Sequence, residues 1–497
     1  MSTRRGALSG LVAAAVALAV GELVAGIGGT RRAPVIVVGD AFIDRVPRGV
    51  KDWAIDTFGT ADKVALLVGI YAVIALAAAG VGVLAVRRFV LGAAGIAVFG
   101  AVGVLAALAE DDTGTAEVLA PVLGALAGIA ALRALIRRSG RALVGEADRL
   151  PPSTAERRVF LGLAAGAVVF ATVGRALQGR VSAAASRMAV RLPRPTRRAG
   201  AIPDGADFGI DGLAPFVTAN ADFYRIDTAL LVPQVTTDGW TLTITGRVDR
   251  ELTLTYDDLL DRELVEADVT IACVSNEIGG DLVGNARWLG TPLLPLLDEA
   301  GIDPGADQLV ARSVDGFTAG MPLTAIRDGR TALVAIGMNG VPLPIRHGFP
   351  ARVIVAGLYG YVSATKWLEE LELTTFADFD PYWIKRGWAV EAPVKTASRI
   401  DVARAGMIAG VAWAPTKGIE KVEVRIDEGP WRECELSHEV HGDTWRQWRY
   451  RWDDAESGEH IVTVRATDGT GETQTDERAE PFPDGATGWH SRRVRIS

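Results

Sequence analysis

Long apolar runs fill the first third of the chain. Two of them, 64–86 and 89–109, carry no charged residue, and each can cross about 30 Å of hydrocarbon at 1.5 Å per residue. Three further runs are interrupted only by Glu22, Arg133 or Arg175, charges that can reach water from near a helix end. We therefore predict a five-helix transmembrane α bundle, with helices at about 7–27, 64–86, 89–109, 118–136 and 159–176.

A different pattern, short alternating runs, characterises the second half. Apolar and polar residues alternate in WTLTITGRV from Trp240, KVEVRID from Lys421 and HIVTVRATD from His460, which is typical of strands with one buried face. Helical patterns intervene at 256–264 and 292–300. The sequence predicts a tether over 181–214, an α+β, mainly β catalytic domain over 215–395, and an immunoglobulin-like β-sandwich over 396–497.

Charge divides the chain in the same way. The net charge is −8, but residues 1–199 hold 24 basic and 13 acidic residues, or +11, and 200–497 hold 28 and 47, or −19. An acidic, unpatterned second half argues against a nucleic-acid partner.

Basic residues in the short loops predict the orientation, because Lys and Arg are retained on the cytoplasmic side. Arg87-Arg88 and the arginines of 133–158 lie in two such loops. Five crossings then place 200–497 outside the plasma membrane. The run Glu156 to Leu161, ERRVFL, resembles a twin-arginine export signal, with simple flanking charge as the alternative. Arg4-Arg5 is a weaker copy.

Only two cysteines are present, Cys273 and Cys434. In an oxidising compartment they could form a disulfide. Cys273, however, follows the apolar run 269–272 and opens a Gly- and Asn-rich segment in which backbone can approach a ligand closely. This context favours a thiolate that binds a transition metal whose other ligands come from a cofactor.

Several motifs together resemble the sulfite oxidase family of molybdopterin-dependent oxidoreductases, from about Pro215 to the C-terminus. They are CVSN at Cys273, ARW at 286–288, MNGVPLPIRHGFPAR at 338–352, Lys366-Trp367, GVAWAP at 410–415 and FPDGATGWH at 482–490.

The resemblance implies a molybdenum-molybdopterin cofactor with Cys273 as the metal ligand. It further implies catalytic roles for Arg225 and Arg287 beside Cys273. The residues implied to bind the pterin and its phosphate are Tyr224, Arg225, Asp315, His347, Arg352, Thr365 and Lys366. Arg and Lys are the donors that a buried phosphate requires. Arg287 has a second interpretation, as an ion pair beneath the loop.

Two positions depart from the family pattern. Asp227 stands where a histidine is usual in family sulfite oxidases, and Trp388 stands where an active-site tyrosine is usual, which puts sulfite as the substrate in question. A small oxyanion oxidised by the site and a sulfoxide reduced by it, as in methionine sulfoxide repair enzymes, are both open alternatives. A non-catalytic, membrane-tethered β-sandwich that binds a partner is the third.

The electrons must pass to or from another protein. The first histidine is His347 and there is no CxxCH motif, so we expect no haem in the chain and a separate cytochrome or similar carrier. The helices are then an anchor and docking surface. In the family the last domain commonly forms a homodimer.

Overall fold

The structure, a computed structural model, describes residues 3–28, 34–46, 50, 57–58, 62–109, 114–140, 161–163, 165–169 and 183–496. The chain forms two compact units. One comprises 1–181 together with the short segment Thr228–Val232, and the other comprises Ser182–Asp227 and Pro233–Ser497.

The first unit is helical. Its helices are α1 (Thr3–Ile27), α2 (Pro34–Arg45), α3 (Asp62–Arg87), α4 (Phe89–Leu108) and α5 (Thr115–Gly140). Within the described residues, four helices are long and apolar enough to cross a membrane, namely Thr3–Ile27, Ala65–Arg87, Phe89–Leu108 and Thr115–Arg137. Four of the five predicted spans are thus found. The fifth, 159–176, falls mostly outside the described residues, with helix at 161–163 and 165–169. The ERRVF residues at 156–160 also lie outside them.

Small residues let these helices approach closely. A Cβ on Gly10 of α1 would collide with the Ala78 carbonyl of α3, and a Cβ on Gly82 would collide with the Gly6 carbonyl. Close backbone approach at glycine is a common basis of helix packing in lipid. Large apolar side chains such as Leu76 and Val90 point outward, as expected of helices that face hydrocarbon.

The segment Thr228–Val232 belongs to the helical unit although the chain on both sides of it belongs to the other. Ala229 and Leu230 are buried, and the Lys63 ammonium donates to the Ala229 carbonyl at 2.7 Å. The chain therefore enters the helical unit directly after Asp227 and leaves it at Pro233.

The second unit begins with helix α6 (Ala183–Ala189) and a strap at 190–214. The Arg187 guanidinium donates to the Pro342 and Leu343 carbonyls at 2.7 Å, and the Thr196 N–H donates to the Leu264 carbonyl at 2.8 Å. The predicted tether is thus ordered along the unit from residue 183, because its backbone bonds to parts of the chain remote in sequence.

Two sheets form the body that carries the candidate site. Their strands are β1 (Thr241–Gly246), β2 (Leu252–Thr255), β3 (Val265–Ala272), β4 (Val283–Pro292), β5 (Gln308–Ser313), β6 (Thr318–Pro322), β7 (Ala332–Met338), β8 (Val341–Pro342), β9 (Arg352–Val355) and β10 (Leu368–Thr374). Short helices connect them at α7 (Tyr256–Leu260), α8 (Leu293–Ala300), α9 (Leu323–Arg327) and α10 (Gly360–Ser363). One sheet has the order β2-β1-β10-β5-β6. The other has the order β3-β4-β7-β8, with β9 also paired to β7.

Two four-stranded sheets then form a sandwich at the C-terminal end. Its strands are β11 (Ala397–Arg404), β12 (Met407–Trp413), β13 (Ile419–Ile426), β14 (Arg432–Glu433), β15 (Glu435–Leu436), β16 (Arg446–Tyr450), β17 (Gly458–Asp468) and β18 (His490–Ile496). Its core buries Trp448, Trp452 and the alternating valines Val422 and Val424 of β13. The mainly β second half is confirmed, while the immunoglobulin-like assignment stays a prediction.

Candidate active site

Cys273 lies directly after the buried strand β3. Its N–H donates to the Leu282 carbonyl at 2.9 Å, and its carbonyl accepts from the Asn276 N–H at 3.1 Å. Burial raises the pKa of the thiol, while hydrogen bonds from Ser275 and the positive charge of Lys366 act in the opposite direction. Ser275 and Lys366 thus support the thiolate, the form that binds a metal, against the effect of burial.

The two cysteines, both within the described residues, are free and buried. Cys434 belongs to the hydrophobic core of the sandwich, and burial raises the pKa of its thiol. The disulfide that the sequence left open is therefore not formed.

Arg352 begins β9 and is 4% exposed. Its guanidinium donates to the His347 carbonyl at 3.1 Å and to the Ala364 carbonyl at 3.2 Å, and it lies 5.0 Å from the centre of the Trp288 ring. Burial lowers its pKa to about 10. None of these contacts supplies a negative charge.

Two buried polar atoms in this region have no hydrogen-bond partner among the described residues: Arg352 Nε and Thr365 Oγ1. They are close in the structure, because Arg352 donates to the carbonyl of Ala364, which precedes Thr365. Buried donors are almost always satisfied in folded proteins. The pair fits a ligand that brings hydrogen-bond acceptors, and a phosphate does so with strong charge-assisted bonds.

Lys366 and Arg225 share one carboxylate, that of Asp227. The Lys366 ammonium lies 2.8 Å from Asp227 Oδ2, and the Arg225 guanidinium donates to both carboxylate oxygens at 2.7 and 3.2 Å. Burial lowers the pKa of Lys366 to about 8 against the opposing effect of Asp227. Lys366, Arg225 and Arg352 together bring three positive charges against the single negative charge of Asp227, a surplus suited to an anionic ligand.

Gly348 lies between Lys366 and Arg352, and its lack of a side chain allows the three residues to pack closely. Its φ of 109° is in the left-handed region, and a Cβ there would lie 3.1 Å from Lys366 Cβ and 3.2 Å from Arg352 Cβ. Trp367, which follows Lys366, also has positive φ, at 51°. Such conformations cluster at ligand-binding sites.

His347 is buried and uncharged. Its Nε2 lies 2.9 Å from the Asn220 carbonyl, so Nε2 carries the proton and Nδ1 is an acceptor. Burial lowers its pKa to about 4. At neutral pH this ring therefore offers an acceptor for an N–H group, such as those of a pterin, rather than a charge for a phosphate.

Tyr224 is also close to the centre of the site. The charges of Cys273 and Arg352 both act on its hydroxyl, whose pKa is raised mainly by burial. Its ring stacks on Phe223 with centres 5.4 Å apart. The sequence assigned Tyr224, Cys273 and Arg352 to one site, and in the structure they lie close enough for their charges to interact.

Asp315 makes its hydrogen bond within its own β-hairpin. Its carboxylate accepts from the Phe317 N–H at 3.3 Å and so closes the β5–β6 hairpin. The preceding Val314 donates to the Trp367 carbonyl at 3.0 Å. Asp315 therefore shapes a turn beside Lys366-Trp367.

Arg287 has the ion-pair arrangement, the second interpretation of its sequence. It donates to both oxygens of the buried Asp268 at 2.9 and 2.7 Å, directly across β3 and β4. Successive side chains of a strand point to opposite faces, and its neighbour Trp288 lies on the Arg352 side. Arg287 therefore points away from the cation cluster, which speaks against a substrate contact.

Sequence reasoning missed Tyr359. This tyrosine is buried, and its pKa is raised to about 12, chiefly by burial, with the charge of Cys273 contributing. The proximity depends on a fold that brings GLYGY at 357–361 to the end of β3, and the only signal in the sequence is the two tyrosines near Lys366. Trp388 contacts Tyr361 and Phe482, with ring centres 5.9 and 5.4 Å apart.

Comparison with known proteins agrees with this geometry. A model of the oxidoreductase molybdopterin binding domain matches residues 229–383. The mitochondrial sulfite oxidase of Rattus norvegicus is 26% identical over 317 residues, which covers 52% of this chain and 58% of the relative. The uncharacterized oxidoreductase YuiH of Bacillus subtilis is 30% identical over 149 residues, which covers 30% of this chain and 72% of that protein.

Among solved structures, the sulfane dehydrogenase SoxCD of Paracoccus pantotrophus is similar in fold. Its TM-score is 0.50 at 21% identity, over 57% of this chain and 82% of that one. The chain spans little more than half the length of the mitochondrial relative.

Proposed function

Because this chain belongs to the sulfite oxidase family of molybdopterin-dependent oxidoreductases, we propose that it is a membrane-anchored enzyme that catalyses two-electron oxygen-atom transfer outside the cytoplasm. It is an oxidoreductase, and its family implies molybdenum-molybdopterin as cofactor. The four apolar helices support membrane anchoring.

Cys273 is the proposed metal ligand. Arg225, Arg352, Lys366 and Thr365 would hold the phosphate side of the cofactor. His347 and Tyr224 would hold the pterin, since both are uncharged at neutral pH. The observation that carries this assignment is the partnerless donor pair in the described residues, Arg352 Nε and Thr365 Oγ1, beside a surplus of buried positive charge.

When bound, the cofactor supplies exchange of one oxygen atom and two electrons with the substrate. In the oxidative direction, substrate and water give the oxygenated product, two protons and two electrons. The chain's own residues keep water from the metal ligand, since Cys273 is buried. Ser275 and Lys366 favour its thiolate form.

The first candidate reaction is the oxidation of a small oxyanion such as sulfite. The second candidate reaction is the reduction of a sulfoxide, in which the oxygen atom and the two electrons move in the opposite direction. Asp227 favours the second, because its ion pairs with Arg225 and Lys366 lower the net positive charge of this region, which suits an uncharged substrate better than an anion.

The electron partner is a separate carrier, such as a cytochrome. The helical stretch contains no histidine, since the first in the sequence is His347, and we expect no haem in this chain. Its helices would then anchor the enzyme and present a surface to the carrier. A homodimer through the sandwich is a further expectation.

Metal and pterin analysis of the full-length protein tests the assignment. We expect Cys273→Ser to lose most of the molybdenum, and Cys434→Ser, a matched buried cysteine in the sandwich core, to keep it. Equal molybdenum in wild type and Cys273→Ser would refute Cys273 as the ligand. No molybdenum or pterin in the wild type, produced in cells that make the cofactor, would refute the proposal as a whole.

A further inference from the structure

The segment Thr228–Val232 is held in the helical unit by two kinds of contact. The Lys63 ammonium donates to the Ala229 carbonyl at 2.7 Å. The side chain of Leu230, which is 4% exposed, lies against Gly39 of α2, because a Cβ on Gly39 would be 2.7 Å from Leu230 Cδ2. One polar and one apolar contact therefore seat this segment in the helical unit.

The residues directly before this segment take part in the candidate site. Lys366 donates to the Ile226 carbonyl at 2.9 Å and to the Asp227 carboxylate at 2.8 Å. Arg225 pairs with the same carboxylate. Lys366 is therefore bonded to both the backbone and a side chain of this stretch. Because charge-assisted hydrogen bonds depend strongly on distance and angle, a shift of the stretch would shift the Lys366 ammonium with it.

Very little chain separates these two sets of contacts. From Asp227 to Ala229 the backbone advances by two residues, which is at most about 7 Å when fully extended. A connection this short has little slack. On the far side of the segment, Pro233 has a fixed φ, and Val235 is fully buried. A displacement of the segment is therefore passed to Asp227 rather than absorbed by a loose loop.

Resting on the proposed function, we propose that the seat of Thr228–Val232 in the helical unit positions Asp227, and with it the cations that hold the phosphate side of the molybdopterin cofactor. Leu230 and Lys63 are then positioning residues, which act through Asp227 rather than on the cofactor itself. The helical unit is more than an anchor, because cofactor retention depends on it. By linkage the effect is reciprocal, so a bound cofactor also holds the segment more firmly in its seat.

Release of the cofactor from the loaded, full-length protein in detergent tests this coupling. The molybdenum and pterin that remain with the protein are measured after incubation and gel filtration. We expect Leu230→Gln to release the cofactor about fivefold to a hundredfold faster, the usual range for coupling between two sites. Leu231→Gln is the matched control and should release it at the wild-type rate, because the Leu231 side chain is 55% exposed. Leu230→Met, which keeps an apolar side chain of similar volume, should remain close to wild type.

A second variant acts on the polar contact and does not depend on the folding of Leu230→Gln. Lys63→Met removes the donor to the Ala229 carbonyl, whereas Lys63→Arg retains a charged donor. We expect faster release of the cofactor from Lys63→Met and the wild-type rate from Lys63→Arg.

Hydrogen exchange measures the reciprocal effect without any assay of activity. The backbone N–H groups of 228–232 should exchange at least about fivefold more slowly in the loaded protein than in the cofactor-free protein. Strand β13 in the sandwich is the internal reference and should exchange equally in both forms. In Leu230→Gln the difference at 228–232 should disappear.

The outcomes separate this coupling from the proposed function. Wild-type release rates in both Leu230→Gln and Lys63→Met, or equal exchange of 228–232 in loaded and cofactor-free protein, would overturn the coupling and leave the proposed function intact. Wild-type protein that contains neither molybdenum nor pterin, although produced in cells that make the cofactor, would overturn both.

Discussion

Asp227 shows how one residue can reorganise a charged site. Its side chain is 4% exposed and lies between Lys366 and Arg225. At this position the family pattern has histidine, a side chain that cannot neutralise two cations. The carboxylate holds both side chains in place before any ligand arrives, and it lowers the positive charge that a substrate would meet.

Asp227→Asn should therefore destabilise the cofactor-free protein more than the loaded one. Loss of one partner of a buried ion pair costs about 3–5 kcal/mol, and an anionic cofactor would replace part of the missing negative charge. Thermal unfolding of both forms measures the difference. Asp315→Asn, a carboxylate that closes its own hairpin, is the control with little expected effect. Equal losses of Tm in the two forms of Asp227→Asn would contradict this role.

At this scale the sequence predicted the residues that a motif carries and missed those that tertiary packing creates. Cys273, His347, Arg352 and Lys366 lie within recognisable segments, and the structure brings them together with Tyr224. Tyr359 has no such signal, because its position depends on Gly485 and Lys395, both distant in the chain.

The ladder between β3 and β4 decides the position of Arg287. Asp268 and Arg287 are directly paired across it, and Trp288 occupies the opposite face beneath Arg352. The ARW motif alone does not show which face each side chain takes, since that depends on which side of the sheet is covered.

Arg287→Gln should lower stability without altering substrate affinity. Asp268, which is 5% exposed, would be left as a buried charge without its partner, at a cost of about 3–5 kcal/mol. The double variant Asp268→Asn, Arg287→Gln should recover part of the loss. Unfolding curves and KM for sulfite and for dimethyl sulfoxide separate the two roles, and a KM raised tenfold in both variants would indicate a substrate contact instead.

Elements with strong periodicity were predicted well, and elements held by remote partners were not. The strands at 241–246, 419–426 and 458–468 follow from alternation. The strap at 190–214 has no periodicity in its sequence, so its ordered path could not be predicted. That path depends on hydrogen bonds to Leu264 and other positions distant in the chain. Helix α2 was missed because its 12 residues carry acidic and basic side chains.

For the molecule as a whole, the number of crossings decides which side of the membrane receives the enzyme. Composition and run length predicted four of the described helices correctly, and these are long and apolar enough to cross a membrane. Orientation depends on the fifth predicted span and on loop charges, and so remains a prediction.

An epitope added after Ser497 should be accessible to antibody in intact spheroplasts if residues 200–497 are outside. A fluorescent protein fused after Arg138 should report a cytoplasmic position, because the arginines of 133–158 are expected to stay on that side. Labelling of the Ser497 epitope only after permeabilisation would show that the predicted orientation is wrong.

The excursion of Thr228–Val232 into the helical unit has a practical consequence for anyone who wishes to make a water-soluble version of this enzyme. Deletion of residues 1–182 would expose the apolar side chains of Ala229 and Leu230, which are buried in the helical unit. These two residues follow closely after Asp227 in the chain. Such a truncated protein would be prone to aggregate through the exposed segment Thr228–Val232. A water-soluble variant therefore requires polar residues in place of Ala229 and Leu230 as well as the deletion.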